Sequence, residues 1–134
     1  MRATLGPYEP VVVAMYAVLP RDAIRMRDAT IASTTWGHRL LEVSEPRTSI
    51  HAVGGGSGQG LQMALDAKAG RPERTVVRSA GDGGMLVNAG EWATAVQENA
   101  AVVVEVFNNG GYGVLRNIQN RAMAGRHIGV DLRA

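Results

Sequence analysis

Cysteine is absent from this 134-residue chain, which removes disulfide frameworks, thiolate metal sites and cysteine nucleophiles together. Aromatic residues make up only 4% of the sequence, so a core has to be built from the aliphatic side chains within its 46% hydrophobic content. No apolar run approaches the ~20 residues that a membrane-spanning helix needs. The formal net charge is only +2, and the arginines are scattered. A basic run with interleaved aromatics, the pattern of nucleic-acid binders, is lacking, so neither nucleic acid nor a membrane is an expected partner. The N-terminus has no basic start leading into an apolar core and a small-residue cleavage site, which makes the cytoplasm the expected compartment.

What the chain does have is glycine, 17 residues of it, gathered where apolar runs end. The length suits one domain over residues 1–134 with a single core. Glu9-Pro10 and the run Val11 to Leu19 predict a first helix, with Pro10 in its first turn and Pro20 closing it. Ala23 to Arg27 predicts a short strand ending at Asp28, and Thr34 to Val43 a second helix capped by Ser33 or Thr34. Ser49 to Val53 predicts a strand running into Gly54-Gly55-Gly56-Ser57-Gly58. Gln59 to Ala69 follows as an amphipathic helix that Gly70 stops. Thr75 to Ala80 and Ala101 to Phe107 read as strands, with Met85 to Glu98 as one helix between them and Tyr112 to Asn120 as a short helix after them. From Arg121 onward the signal fades. Strands alternating with helices predict an α/β fold, a doubly wound parallel sheet with helices on both faces and right-handed crossovers. Each glycine-rich segment then falls at the carboxyl edge of the sheet, where ligands bind in open α/β folds.

Two of those segments carry chemistry. Gly81-Asp82-Gly83 and Asn108-Asn109 are separated by 24 residues, and each follows a strand. Standing alone, the first is an ordinary turn signal and the second an ordinary loop. Together they put a carboxylate at one strand end and a carboxamide at the next. Neighbouring parallel strands lie about 5 Å apart, so Asp82 and Asn109 can share one cation. Their hard oxygens suit magnesium, which completes its octahedron with phosphate oxygens and water. The segment Gly54 to Gly60 fails the more specific phosphate-loop tests: no register gives G-x-G-x-x-G, and no Gly-Lys pair makes a Walker A loop. Gln59 likewise breaks the G-x-S-x-G elbow around Ser57. Those glycines instead permit close approach of a ligand to the backbone. His38, His51 and His127 have no ligand spacing and receive no role.

With these residues laid out, the chain resembles the cofactor (diphosphate)-binding domain of thiamine-diphosphate enzymes, in the group of acetolactate synthase, benzoylformate decarboxylase and pyruvate decarboxylase. The family signature is G-D-G, about two dozen residues, then N-N, which Gly81 to Asn109 matches. Gly110 to Arg116 resembles the family segment after the paired Asn, and Gly54 to Leu61 with Arg71-Pro72-Glu73-Arg74 resembles its upstream helix and turn. The likeness spans about Tyr8 to Leu132. It implies thiamine diphosphate and Mg2+ as cofactors. By resemblance, Asp82, the Asn109 side chain and the Gly111 carbonyl would ligate the metal. Gly83, Gly84 and the helix start after Gly111, with Tyr112, would hold the diphosphate. Gly55 would accept a hydrogen bond from the aminopyrimidine, Ser57 and Gly81 would be further cofactor contacts, and Thr30 to Ser33 would lie near the diphosphate. The implied reaction is decarboxylation of a 2-oxo acid, or the related acetolactate-type transfer, with the cofactor as electron sink.

Three departures from the family accompany this resemblance. Ser57 stands where a bulky apolar residue usually props the cofactor. Arg78 and Glu105 fall within strands expected to be apolar on both faces, each three residues before its motif, where they would face one another as a buried pair. The sequence stops near Ala134, short of the family's further strands, and brings no pyrimidine-binding domain to activate the cofactor. The expectation is therefore a C-terminally truncated fragment of a larger enzyme, inactive until a pyrimidine-binding domain or subunit joins it in a homo- or hetero-oligomer. A degenerate, catalytically silent remnant that acts only in assembly is the alternative, and a generic nucleotide-binding α/β domain is a weaker third.

Overall fold

A computed structural model describes residues 6–31 and 41–132. Its elements are α1 (Glu9–Val18), β1 (Ile24–Arg27), β2 (Ser49–His51), α2 (Gly60–Gly70), β3 (Val76–Gly81), α3 (Asp82–Val87), α4 (Trp92–Gln97), β4 (Val103–Phe107) and α5 (Gly113–Ala122), joined by three short 3-10 turns. The strands form one parallel sheet in the order β2-β1-β3-β4. In that order the chain goes to one side of β1 for β2, then returns to the other side for β3. The two directions part between β1 and β3, and a crevice opens there at the carboxyl ends of the strands.

Alternation along the strands assigns the two faces. Ile24, Met26 and Val76 pack with Ala64 of α2, while Leu61 and Leu65 of α2 meet Ala95 of α4. On the opposite face Val12 and Met15 of α1 gather Tyr8, Leu41 and Phe107, the Tyr8 and Phe107 rings meeting edge to face at 5.6 Å. All three clusters are aliphatic in the main, as the shortage of aromatics requires. The doubly wound parallel architecture is thus present, with helices against both faces. The helix expected over Thr34 to Val43 lies largely outside the described residues, and Leu41 to Val43 are not helical.

The structure corrects two readings. Met85 to Glu98 is not one helix: α3 ends at Val87, a 3-10 turn covers Ala89–Glu91, and α4 follows. The break comes at Asn88, whose side-chain amide donates to the Gly58 carbonyl at 2.9 Å, and Gly90 loosens the backbone just after it. Nor do Arg78 and Glu105 pair. The β3–β4 register sets Arg78 beside Val104 and Ser79 beside Glu105, so the two charges point to opposite faces. Arg78 instead meets Asp28 at the end of β1, at 3.1 Å, with both side chains sealed from solvent. Glu105 accepts a hydrogen bond from the Ser79 hydroxyl at 2.9 Å. Burial raises its pKa above the ordinary carboxylate value, and the Ser79 bond offsets part of that rise.

Beyond Arg121, where the sequence signal fades, the chain still has a defined task. Val130 is buried, Gly111 and Asp131 form an antiparallel bridge, and the Tyr112 and Leu132 amides donate to the Val130 and Gly110 carbonyls at 2.8 and 3.0 Å. Residues 130–132 therefore brace the loop that follows β4.

Candidate functional site

The crevice between the strand ends is a cleft of about 360 Å³. Its walls come from four segments: Ala29 to Ile31 after β1, Gly55 and Ser57 after β2, Gly81 to Gly84 at the end of β3, and Asn109 with Gly111 to Leu115 after β4. All nine residues singled out from the sequence (Gly55, Ser57, Gly81, Asp82, Gly83, Gly84, Asn109, Gly111 and Tyr112) line this one cleft. Thr30 and Ile31 of the segment expected nearby do so as well, while Ala32 and Ser33 lie outside the described residues.

Asp82 ties the two motifs together. One carboxylate oxygen, Oδ2, accepts the Gly111 amide at 2.8 Å, and the other, Oδ1, is buried without a partner. An orphaned anionic oxygen is costly unless something cationic meets it. The paired asparagines divide the work: Asn108 Oδ1 accepts the Gly110 amide at 3.0 Å and shapes the turn, leaving Asn109 to line the cleft. The Gly111 carbonyl accepts the Gly113 amide at 3.0 Å and keeps a second lone pair. The available set is one carboxylate, one carboxamide and one peptide carbonyl, all hard oxygens. Among the described residues no three His, Cys, Asp or Glu side chains gather to hold a metal. So sparse a set fits a hard divalent cation whose remaining ligands come from an anionic ligand and water.

The rest of the cleft is shaped for close approach. A Cβ on Gly83 would lie 2.6 Å from the Tyr112 ring, so only glycine lets that ring close over the turn. Gly54 and Gly55 both have φ above +70°, a conformation that leaves glycine as the unstrained residue. Helix α5 begins at the cleft with no side-chain cap, so its first amides keep their donor capacity. Ser57, where a bulky apolar prop was expected, donates its hydroxyl to the Ala29 carbonyl at 3.3 Å. It fastens one wall of the cleft to another.

Several contributors escaped the sequence reading. Asp28 was legible only as a strand terminus, yet it accepts the Gly58 amide through both oxygens at 2.9 and 3.0 Å and the Ala29 amide at 2.9 Å. Arg116 reaches the Asn109 and Gly110 carbonyls and pairs with Asp131 at 2.7 Å. The one available signal for Asp28 was a lone acid at the end of a strand whose neighbour carries a lone arginine. No role emerges for the histidines. His38 lies outside the described residues, and His127 is bonded to Asn120 on the exposed surface.

Comparison with known proteins gives three concordant results. The family described as "Thiamine pyrophosphate enzyme, C-terminal TPP binding domain" matches residues 31–133. The chain is 35% identical over 112 residues to a probable 2-ketoarginine decarboxylase of Pseudomonas aeruginosa, covering 82% of this chain and 20% of that protein. It is likewise 35% identical over 132 residues to the acetolactate synthase large subunit of Haemophilus influenzae, covering 92% of this chain and 22% of that subunit. Among solved structures, the thiamine diphosphate-dependent 4-hydroxybenzoylformate decarboxylase of Rhodococcus jostii RHA1 superposes with a TM-score of 0.84 at 28% identity, covering 93% of this chain and 24% of that one. The chain thus spans about a fifth of the length of the curated relatives it matches.

Proposed function

Because this chain belongs to the family of C-terminal thiamine-pyrophosphate-binding domains of thiamine pyrophosphate enzymes, we propose that it holds thiamine diphosphate through Mg2+ in the cleft at the β1–β3 crevice. We propose further that it serves as the cofactor domain of a 2-oxo-acid decarboxylase or acetolactate-synthase-like enzyme. The observation that carries this reading is the buried, partnerless Oδ1 of Asp82, set beside the Asn109–Gly111 loop to which its other oxygen is bonded.

In this reading Asp82, the Asn109 carboxamide and the Gly111 carbonyl hold the magnesium ion. The amides of Gly83, Gly84 and the first turn of α5 receive the diphosphate, as helix N-termini commonly receive anions. Tyr112, packed against Gly83, keeps water from the metal side of the cleft. The Gly55 carbonyl, on its glycine-only backbone, meets the aminopyrimidine, and Gly81 and Ser57 fix the loops on either side. When bound, the cofactor supplies a carbanion and an electron sink for carbon–carbon cleavage next to a carbonyl. The chain's own residues orient it and hold the cation that offsets its charge.

The partner we propose for turnover is a pyrimidine-binding domain or subunit. Isothermal titration with thiamine diphosphate and Mg2+ tests the cofactor reading. Saturable heat that disappears in Asp82→Ala is expected, and no heat at millimolar ligand would reject it. Adding a pyrimidine-binding partner then asks about activity. Turnover of a 2-oxo acid on mixing is expected, whereas cofactor binding with no turnover would mark a silent remnant.

A further inference from the structure

We propose that the buried Asp28–Arg78 pair is a positioning device that locks the Gly54–Gly58 loop to the Gly81–Gly84 turn, setting the spacing between the two walls that grip a diphosphate cofactor. The inference rests on the cofactor reading above and adds two residues that do not line the cleft.

The contacts converge on one carboxylate. Asp28 accepts the Gly58 amide through both of its oxygens, and its Oδ2 also accepts Arg78 Nη2 at 3.1 Å. The same Nη2 donates to the Gly84 carbonyl at 3.3 Å, and Nη1 reaches the Met85 sulfur at 3.1 Å. One chain of bonds therefore runs from the loop after β2, through the end of β1, to the turn after β3. Gly58 is held from its other side too, since its carbonyl accepts the Asn88 amide. The packing leaves no slack: a Cβ on Gly60 would come within 3.0 Å of Arg78 Nε, and one on Gly84 within 3.2 Å of Asp28 Oδ2.

Stability alone is a poor reason for such a pair. Ions taken out of water lose about as much as they regain from one another, and apolar replacements of similar volume often do as well. Three separate loops joined through one ion pair is a better reason. The Arg78 fork can serve Asp28 and Gly84 at once because its donors are fixed in a plane. Groups that hold a site's binding residues from behind typically change affinity by on the order of 10- to 100-fold when removed.

The test compares wild type with Asp28→Ala/Arg78→Met, which removes both charges and so strands neither. A control variant, Val76→Ala, weakens the core at the far end of β3. Three quantities are measured: thermal midpoint, amide hydrogen exchange at Gly58 and Met85 without ligand, and Kd for thiamine diphosphate with Mg2+. The expected result is faster exchange at both amides and at least tenfold weaker binding in the double variant. The control should lower the midpoint and leave Kd unchanged. Arg78→Lys, which keeps a donor, should fall between wild type and the double variant. Wild-type binding with an unchanged Kd in the double variant, whatever its midpoint, overturns the positioning role alone. Failure of wild type to bind overturns the cofactor reading, and this role with it.

Discussion

Strands β3 and β4 are parallel neighbours, each ends in one of the two motifs, and each carries one charged residue three positions before its motif. They solve that shared problem differently. Every residue of β3 from Val76 to Ala80 is buried, and its charge is matched by a carboxylate from β1. Strand β4 forms an edge of the described sheet, with Val103 and Val106 53% and 45% exposed, and its Glu105 has only a serine hydroxyl. In β3 the buried guanidinium of Arg78 is balanced by Asp28 and bonded to the turn after its own strand, which ties it to the cleft's framework. On the half-solvated edge strand Glu105 has a neutral partner and no such link to the cleft.

The sharpest way to break this contrast is to strand the central charge. Arg78→Met alone leaves Asp28 buried and unbalanced, and should cost about 3–5 kcal/mol in urea-midpoint measurements. Glu105→Ala should cost far less, and equal losses would show that the two strands are not different environments. Next in size are the glycines that follow each strand. Gly83→Ala drives a methyl into the Tyr112 ring and should cost about 1–3 kcal/mol, visible also in the near-ultraviolet circular dichroism of tyrosine. Gly110→Ala meets open space and suffers only its φ of +75°, so it should cost about 1 kcal/mol.

Smaller still is the effect of pH on Glu105. Its pKa is raised by folding, so the native state binds this proton more tightly than the unfolded chain. That contribution is fully present at low pH and is lost as pH rises through the ordinary carboxylate range and past the raised value. Glu105→Gln, which keeps an acceptor for Ser79, should therefore melt higher than wild type near neutrality, with the difference closing toward pH 4. A difference that grew on acidification would show that the Ser79 bond outweighs burial. Least of all, Val106→Thr on the edge should stay within about 0.5 kcal/mol of wild type, while reducing any self-association seen by ultracentrifugation.

The contrast also explains what could be read in advance. Strand–helix alternation and glycines at strand ends reveal a parallel sheet and its functional edge, because both follow from local chain geometry. Asp82 and Asn109 were legible because a short motif fixes their type and spacing. The partner of Arg78 was not, since strand order and register decide who stands beside it. Sequence spacing suggested Glu105, whereas the register offset of one residue turned the two charges to opposite faces. The break at Asn88 was hidden for the same reason, its cause being a carbonyl 30 residues away in sequence. Val130 and Asp131 lie in a stretch without periodicity, and only their contacts with Gly111, Tyr112 and Arg116 give them a role.

Paramagnetic mapping tests most directly whether a single divalent ion joins the two motifs. Mn2+ is added below stoichiometry to the chain with thiamine diphosphate, and amide resonances are followed. Signals from Asp82 to Gly84 and from Asn109 to Gly111 are expected to broaden together, and Asp82→Ala to abolish both effects. Broadening confined to one motif, or centred elsewhere on the chain, would contradict it.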